Sequence, residues 1–317
     1  MKEKLEETLK SEQNFLKTLV KWTVLSALVG SVVGVIASGF AHVISLVTEF
    51  RIGHPFMILG LPLGGMLVVY LYKLGGQEKN SGTNMVLDTV RTPKGEMPSV
   101  IAPLILIATT VTHMFGGSSG REGAALQFGA SVGSFFGRTL KLNESDRKII
   151  ILSGMSAAFA ALFGTPMAAA IFPMEVTSVG VMYYGALVPC VFSAFIGEYV
   201  SVLLKVRTLK IPYLIEEVPS FYSVNCLKII LLAVLFAVAG ILFCMLLHKS
   251  ADLFGKWFPN PYLRVIAGGV AVILLALLLH TSDYLGLGEA ILKDSFVNVQ
   301  SPERFLLKMI FTCFTLS

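Results

Sequence analysis

From Lys228 to Leu247 the chain stays apolar for the thickness of a bilayer. Trp22 to Phe50, His54 to Leu74, Met97 to Phe115, Val179 to Leu204 and Tyr262 to Leu279 do much the same. About 20 apolar residues in a helix cross the hydrocarbon layer. Inside it every unpaired peptide group costs several kcal/mol, so only helices and closed barrels span. These runs have helical length, which makes the expected fold all-α and polytopic. Composition agrees: 14% of residues are charged and 55% are hydrophobic, against roughly 25% charged in soluble domains. At about 20 residues per span with connections, 317 residues allow roughly eight to ten spans. The net charge of +5 fits basic cytoplasmic loops and does not point to nucleic acid. The expected location is the cell membrane, crossed several times.

Amid these runs lies Gly116 to Gly133, GGSSGREGAALQFGASVG. Glycine-rich backbone at membrane depth is tolerated where it is buried in protein or lines a cavity. An Arg–Glu pair in the same place is costly and points to function. After Gly123 the pattern turns helical, so the loop feeds a helix N-terminus. Free N–H groups and the positive dipole end attract anions there. Interrupted helices aimed at an ion are a common transporter construction. No Lys-Ser/Thr follows the glycines, which excludes a Walker-type phosphate loop. Cys190, Cys226, Cys244 and Cys313 lack CxxC spacing, so neither a disulfide framework nor a zinc site is indicated. An intramembrane enzyme needs a nucleophile–base pair or a metal cluster. His42, His113 and Glu175 have no HExxH-like spacing and GxSxG is absent. The chain is not read as an enzyme, and no cofactor is implied.

Residues 1–21 are charged and amphipathic and read as a cytoplasmic or interfacial helix rather than a signal peptide. Residues 22–205 read as a first membrane repeat, 206–224 as a connecting loop with Glu216 and Glu217, and 225–317 as a second, incomplete repeat. Gly30, Gly34, Ser38 and Ala41 recur at three or four residues, the spacing of a close helix-packing face. Short helices are expected at Ser81–Val90, Pro166–Val176 and Gly286–Leu292, and helices at Ala124–Leu140 and Ile149–Phe163. The final apolar run is Phe305–Ser317. The stretch opening at Gly82 matches the one opening at Gly288. Each leads through prolines (Pro93 and Pro98; Pro302) into an apolar run, where Thr109-x-x-Thr112 answers Thr312-x-x-Thr315. The chain stops two residues after Thr315, before any second glycine-rich helix start.

Gly120-Arg-Glu-Gly123 followed by GTPMAAAIFPMEV at Gly164–Val176 resembles the CLC family of chloride channels and anion/proton antiporters. The resemblance covers essentially the whole chain and implies inverted repeats, broken re-entrant helices and a homodimer with one anion path per subunit. Most members carry GSGIP in the first short helix; here Asn80-Ser-Gly-Thr-Asn-Met85 lacks the proline. That stretch, with APLILIATTVTHMFGGSSGREG, looks like the fluoride-transporting branch, in which a methionine region replaces the serine. Met85 is the residue carried over. Glu175 is followed by Val176, so the glutamate pair of chloride antiporters is missing, as in that branch.

The resemblance implies fluoride/proton antiport across a lipid bilayer. The alternatives are a chloride channel or chloride/proton exchanger, and an inactive truncated fragment. Glu122 is the expected gate and proton carrier: a carboxylate at a helix N-terminus is stable as an anion, and protonation releases it. Gly120 and Gly123 allow close backbone approach. Arg121 either anchors the loop or draws in the anion. Asn84 either donates to the anion or caps a helix. Met85 shapes the path or packs in the core. His113 and Glu175 are supporting positions with structural or titrating roles. Residues 1–317 alone are expected to insert in the membrane but to transport poorly.

Overall fold

The computed structural model describes residues 2–92, 95–177, 180–206 and 224–316. The described residues form helices and turns. In chain order these are α1 (Lys2–Gly53), α2 (Leu61–Leu74), α3 (Thr83–Arg91), α4 (Ile101–Met114), α5 (Glu122–Thr139) and α6 (Glu144–Phe163). Then come α7 (Pro166–Thr177), α8 (Leu187–Leu203), α9 (Val224–Trp257), α10 (Pro261–Leu278), α11 (Glu289–Ser295) and α12 (Pro302–Leu316). Short 3-10 turns, Pro55–Gly60 and Tyr184–Ala186, lead into α2 and α8. Pro93, part of the matched stretches, and the connecting loop at 207–223 lie outside the described residues.

Among the described residues, five helical segments are long and apolar enough to cross a membrane: Phe15–Gly53, Pro55–Leu74, Tyr184–Leu203, Val224–Trp257 and Pro261–Leu278. That is fewer than the eight to ten that the length allows. Much of the chain goes into short helices, such as α3, α7 and α11. More goes into α5 and α6, whose ends carry charge. The amphipathic N-terminal segment and the first span form one helix, α1, with no break at Lys21.

Several boundaries move for local reasons. Expected to start at Ile149, α6 instead opens at Glu144, because the Asn143 side chain accepts from the Asp146 N–H at 2.8 Å. It closes at Gly164, which adopts a left-handed φ of 67°. The span expected from Val179 starts late, since α8 begins at Leu187 after non-helical residues 180–183. By contrast α9 overruns its apolar run, extending to Trp257.

The chain divides into two units. The first comprises Met1–Leu46, Tyr72–Thr109 and Arg121–Leu209; the second comprises Val47–Leu71, Thr110–Gly120 and Lys210–Ser317. The first unit is closed by glycines at helix crossings. A Cβ on Gly30 would lie 2.8 Å from the Ser193 carbonyl oxygen, and one on Gly34 would lie 3.0 Å from that of Gly197. This is the packing face read from the small residues of α1. The same holds between α5 and α6, where a Cβ on Gly129 would lie 2.6 Å from the Gly154 oxygen and one on Gly133 2.5 Å from that of Ile150. Backbones so close leave no space for a side chain. Dispersion between them replaces the hydrophobic effect that lipid does not supply. Ser193 and Ser201 donate across to the Ser153 and Ala161 carbonyls at 2.8 and 2.7 Å.

The second unit packs Leu61, Val272, Tyr284, Leu285, Ile291 and Phe311 into a buried cluster. Phe115 lies over Gly60 and Gly64, where a Cβ would meet its ring at 2.5 and 2.6 Å.

Candidate anion site

Glu122 is the first residue of α5, and Arg121 is its N-cap. No side chain caps this turn, so its leading N–H groups remain available to a ligand. Glu122 is exposed, Gly123 is half-buried and Arg121 is buried at 7% exposure. The Arg121 guanidinium stands 5.7 Å from the centre of the Phe163 ring at the end of α6. Its charge is therefore held against an aromatic face at the α6–α7 corner. Phe163, Phe159 and Phe172 stack on one another and join α6 to α7, with ring centres 4.5 and 4.8 Å apart. Of the phenylalanines near the glycine loop in sequence, Phe128 is fully buried core packed on Phe40.

α3 comes to the same place. Gly82 caps it with φ 62° and ψ −129°, a conformation that only glycine adopts easily. The Asn80 side chain accepts from the Gly82 N–H at 2.7 Å and tightens the turn. At the far end the Arg91 Nε donates to the Thr177 carbonyl of α7 at 2.8 Å. Between these anchors Val86, Thr89 and Val90 face inward. Thr83, three residues before Val86, shares that stripe. A Cβ on Gly123 would lie 3.2 Å from the Thr83 hydroxyl oxygen. The first turns of α3 and α5 thus meet at Thr83 and Gly123. Their positive dipole ends, the α5 N–H groups that the Arg121 side chain does not cap and one hydroxyl donor come together where Glu122 begins α5.

Such an arrangement of donors suits an anion. Its donors are preoriented, so an incoming ion exchanges its water for fixed dipoles. Glu122, the first residue of α5, is placed to compete for them.

The other expected site residues are dispersed. Met85 is half-buried and its carbonyl accepts from Thr89 Oγ1 at 2.7 Å, within α3. Asn84 and Glu175 are exposed. His113 is fully buried near the end of α4. Gly120, exposed, ends the glycine loop. Thr83 was not singled out from the sequence. Helical spacing puts Thr83 on one stripe with Val86 and Val90, but nothing in the sequence says what that stripe meets.

The family model described as voltage gated chloride channel matches residues 64–317. The chain belongs to this family, the CLC family. It is thus an all-α polytopic membrane protein of the anion channels and transporters. This CLC chain is 33% identical over 309 residues to a chloride/fluoride channel protein of Pseudomonas syringae pv. tomato, covering 96% of this chain and 68% of that one. It is 22% identical over 271 residues to the H(+)/Cl(-) exchange transporter ClcA of Salmonella paratyphi B, covering 81% and 57%. Among solved structures it resembles a CLC-type fluoride/proton antiporter with TM-score 0.87 at 31% identity, over 94% of this chain and 75% of that one. A slow cyanobacterial Cl-/H+ antiporter shares the fold with TM-score 0.73 at 20% identity, over 93% and 74%.

Proposed function

We propose that this CLC chain moves fluoride across the cell membrane in exchange for protons, with Glu122 as gate and proton carrier. The observation that carries the reading is the meeting of α3 and α5 at Thr83 and Gly123, beside an exposed carboxylate. The similarity to a fluoride/proton antiporter at 31% identity supports the choice of ion. Fluoride is small and holds its water strongly, so a site for it must offer close hydroxyl and N–H donors. Gly123 lets the backbone approach, and the Thr83 hydroxyl is a donor that a GSGIP-type helix would place differently.

In the cycle, ionised Glu122 occupies the donor cluster. A proton neutralises it, the side chain gives up the donors and fluoride takes them. The carboxyl then releases its proton to the other side of the membrane, and the ionised side chain returns and expels the ion, so the two movements are coupled. Arg121 keeps the local potential positive from its seat on Phe163. Gly120 gives the loop freedom to follow. Asn84 and Met85 border the path from α3, while His113 and Glu175 act as supporting residues.

We further read residues 22–205 and 225–317 as two repeats. Gly82 and Gly288 both precede a short helix with positive φ, 62° and 74°, although their ψ values of −129° and 19° differ. The working form in this reading is a homodimer in the lipid bilayer. Proteoliposome efflux followed with fluoride and pH electrodes tests the function. Chloride moving as fast as fluoride would favour the chloride channel or exchanger, a reading supported by the ClcA relative.

A further inference from the structure

The second unit holds a cationic pair, Arg51 buried and Lys308 half-buried, that the Glu122 site does not use. Arg51, in the last turn of α1, is 8% exposed. Two glycines with left-handed backbone flank it. A Cβ on Gly116 (φ 84°) would lie 3.4 Å from its Cδ, and one on Gly286 (φ 62°) would lie 3.3 Å from its Nη2. The Arg51 Nε is buried and has no hydrogen-bond partner. Beside Gly286 comes a second cation. The Lys308 Nζ, from α12, donates to the Gly286 carbonyl at 2.6 Å, the Tyr284 carbonyl at 3.0 Å and the Ser118 hydroxyl at 2.8 Å.

The acceptors around this pair are neutral throughout. Thr312 gives its proton to the Lys308 carbonyl at 2.9 Å, so Ser118 donates to the Thr312 oxygen at 3.0 Å. The Ser118 N–H donates to Thr315 Oγ1 at 3.0 Å. The three Lys308 donors are therefore occupied, and its charge is solvated but not neutralised. Among the described residues no carboxylate pairs with Arg51 or Lys308. Burying one ion costs several kcal/mol even after relaxation, and a neighbouring like charge adds to that cost. Breaking a buried pair leaves an uncompensated charge, so a stable arrangement here needs a negative partner.

We infer that Arg51, backed by the charge of Lys308, binds a halide ion at Gly116 and Gly286, separate from the α3–α5 site. The open donors are those of the guanidinium fork alone, since Lys308, Ser118, Thr312 and Thr315 are engaged with one another. A monatomic anion is met by one such fork. A tetrahedral oxyanion would bring further acceptors that nothing here satisfies. The choice of a halide rests on the anion-transport reading; the charge argument does not.

The test is isothermal titration of the purified protein with sodium fluoride and, separately, sodium chloride, starting in halide-free gluconate buffer. Wild type, Glu122→Gln, Arg51→Met, Arg51→Lys and the Arg51→Met/Glu122→Gln double variant are compared, with melting temperature as a second readout. Glu122→Gln, which leaves the α3–α5 donors open as the protonated carboxyl does, should bind two halides, and the double variant only one. Halide should raise the melting temperature of wild type but not that of Arg51→Met. In gluconate Arg51→Met should melt above wild type, because the uncompensated charge is gone. Arg51→Lys keeps the charge but loses the fork and should bind about 10-fold more weakly, a readout that survives if Arg51→Met does not fold. A double variant that binds as many halides as Glu122→Gln, or a single halide bound by Glu122→Gln, would overturn the inference. Fluoride flux that fails while the Arg51 pattern holds would defeat the transport reading and leave this site standing.

Discussion

At the scale of single residues the argument turns on Glu122 and Thr83. Glu122 begins α5, where no side chain occupies the leading N–H groups. Replacing it with glutamine keeps the shape and removes the titrating charge. In proteoliposomes carrying Glu122→Gln, proton movement coupled to fluoride should fall to that of empty vesicles; persistence of wild-type proton flux would remove Glu122 from the role. Thr83 was not visible as a site residue until the fold put its hydroxyl against Gly123. Thr83→Val keeps the volume and deletes the donor. Losing one hydrogen bond to a charged ligand costs about 1.5 kcal/mol, or roughly 10-fold in fluoride affinity. Thr83→Ser should recover most of it, and equal affinity in valine and serine variants would show that the hydroxyl is not used.

At the scale of elements, the sequence was informative wherever a pattern had one physical meaning. Small residues at three- and four-residue spacing in α1 meant a close packing face, and Gly30 and Gly34 supply it, as Gly129, Gly133 and Gly154 do between α5 and α6. Gly129→Ala drives a methyl group into the Gly154 carbonyl. It should cost about 1–3 kcal/mol, read as a lower melting temperature in detergent; an unchanged temperature would mean that the helices separate freely. The starts of α6 and α8 were less legible. Apolarity marks where a helix is buried, whereas Asn143 and the 3-10 turn at Tyr184 mark where it begins. Outside the spans, α11 ends in a polar knot. The Asn298 amide donates to Asp294 at 2.8 Å, Gln300 at 2.8 Å and Arg304 at 3.3 Å. Asn298 first, then Gln300 and Arg304, hold the Asp294 carboxyl below its ordinary value. A carboxyl lowered by folding stabilises the knot above its unfolded value. That contribution is lost as pH falls through the lower, folded one. Measured against the intrinsic exchange rate at each pH, amides 296–300 should therefore lose protection under acid conditions in wild type but not in Asp294→Asn. The same acid dependence in both would show that another group titrates.

At the scale of the whole molecule, the membrane is the missing solvent. The most apolar stretch of α9 has none of its residues buried by the rest of the chain. Its 34 residues extend about 51 Å at 1.5 Å per residue, beyond a hydrocarbon core of about 30 Å. Lipid or a second copy of the chain must cover it. Cys244 is exposed within the apolar run, while Cys226 lies near the start of the helix. In intact membranes a charged thiol reagent should label Cys226 and spare Cys244, which should react only with a bilayer-soluble maleimide. Rapid labelling of Cys244 by the charged reagent would place α9 in water. Ion choice also belongs to this scale, because it depends on every donor along the path. Fluoride should leave vesicles faster than chloride, as compared with two ion-selective electrodes on one preparation.

The sequence by itself determined the membrane, the helices, the family and the loop on which Glu122 sits. Those follow from local rules: apolar length, glycine spacing and the cost of polar backbone in hydrocarbon. Tertiary structure alone decided which face of α3 turns to α5, so that Thr83 rather than Asn84 meets Gly123. It also decided that Arg51 and Lys308, 257 positions apart in the sequence, come together at Gly286. Periodicity lists the faces of a helix without saying what each one meets. That is set by packing between segments distant in the chain, where one missing Cβ fixes how near two backbones can lie.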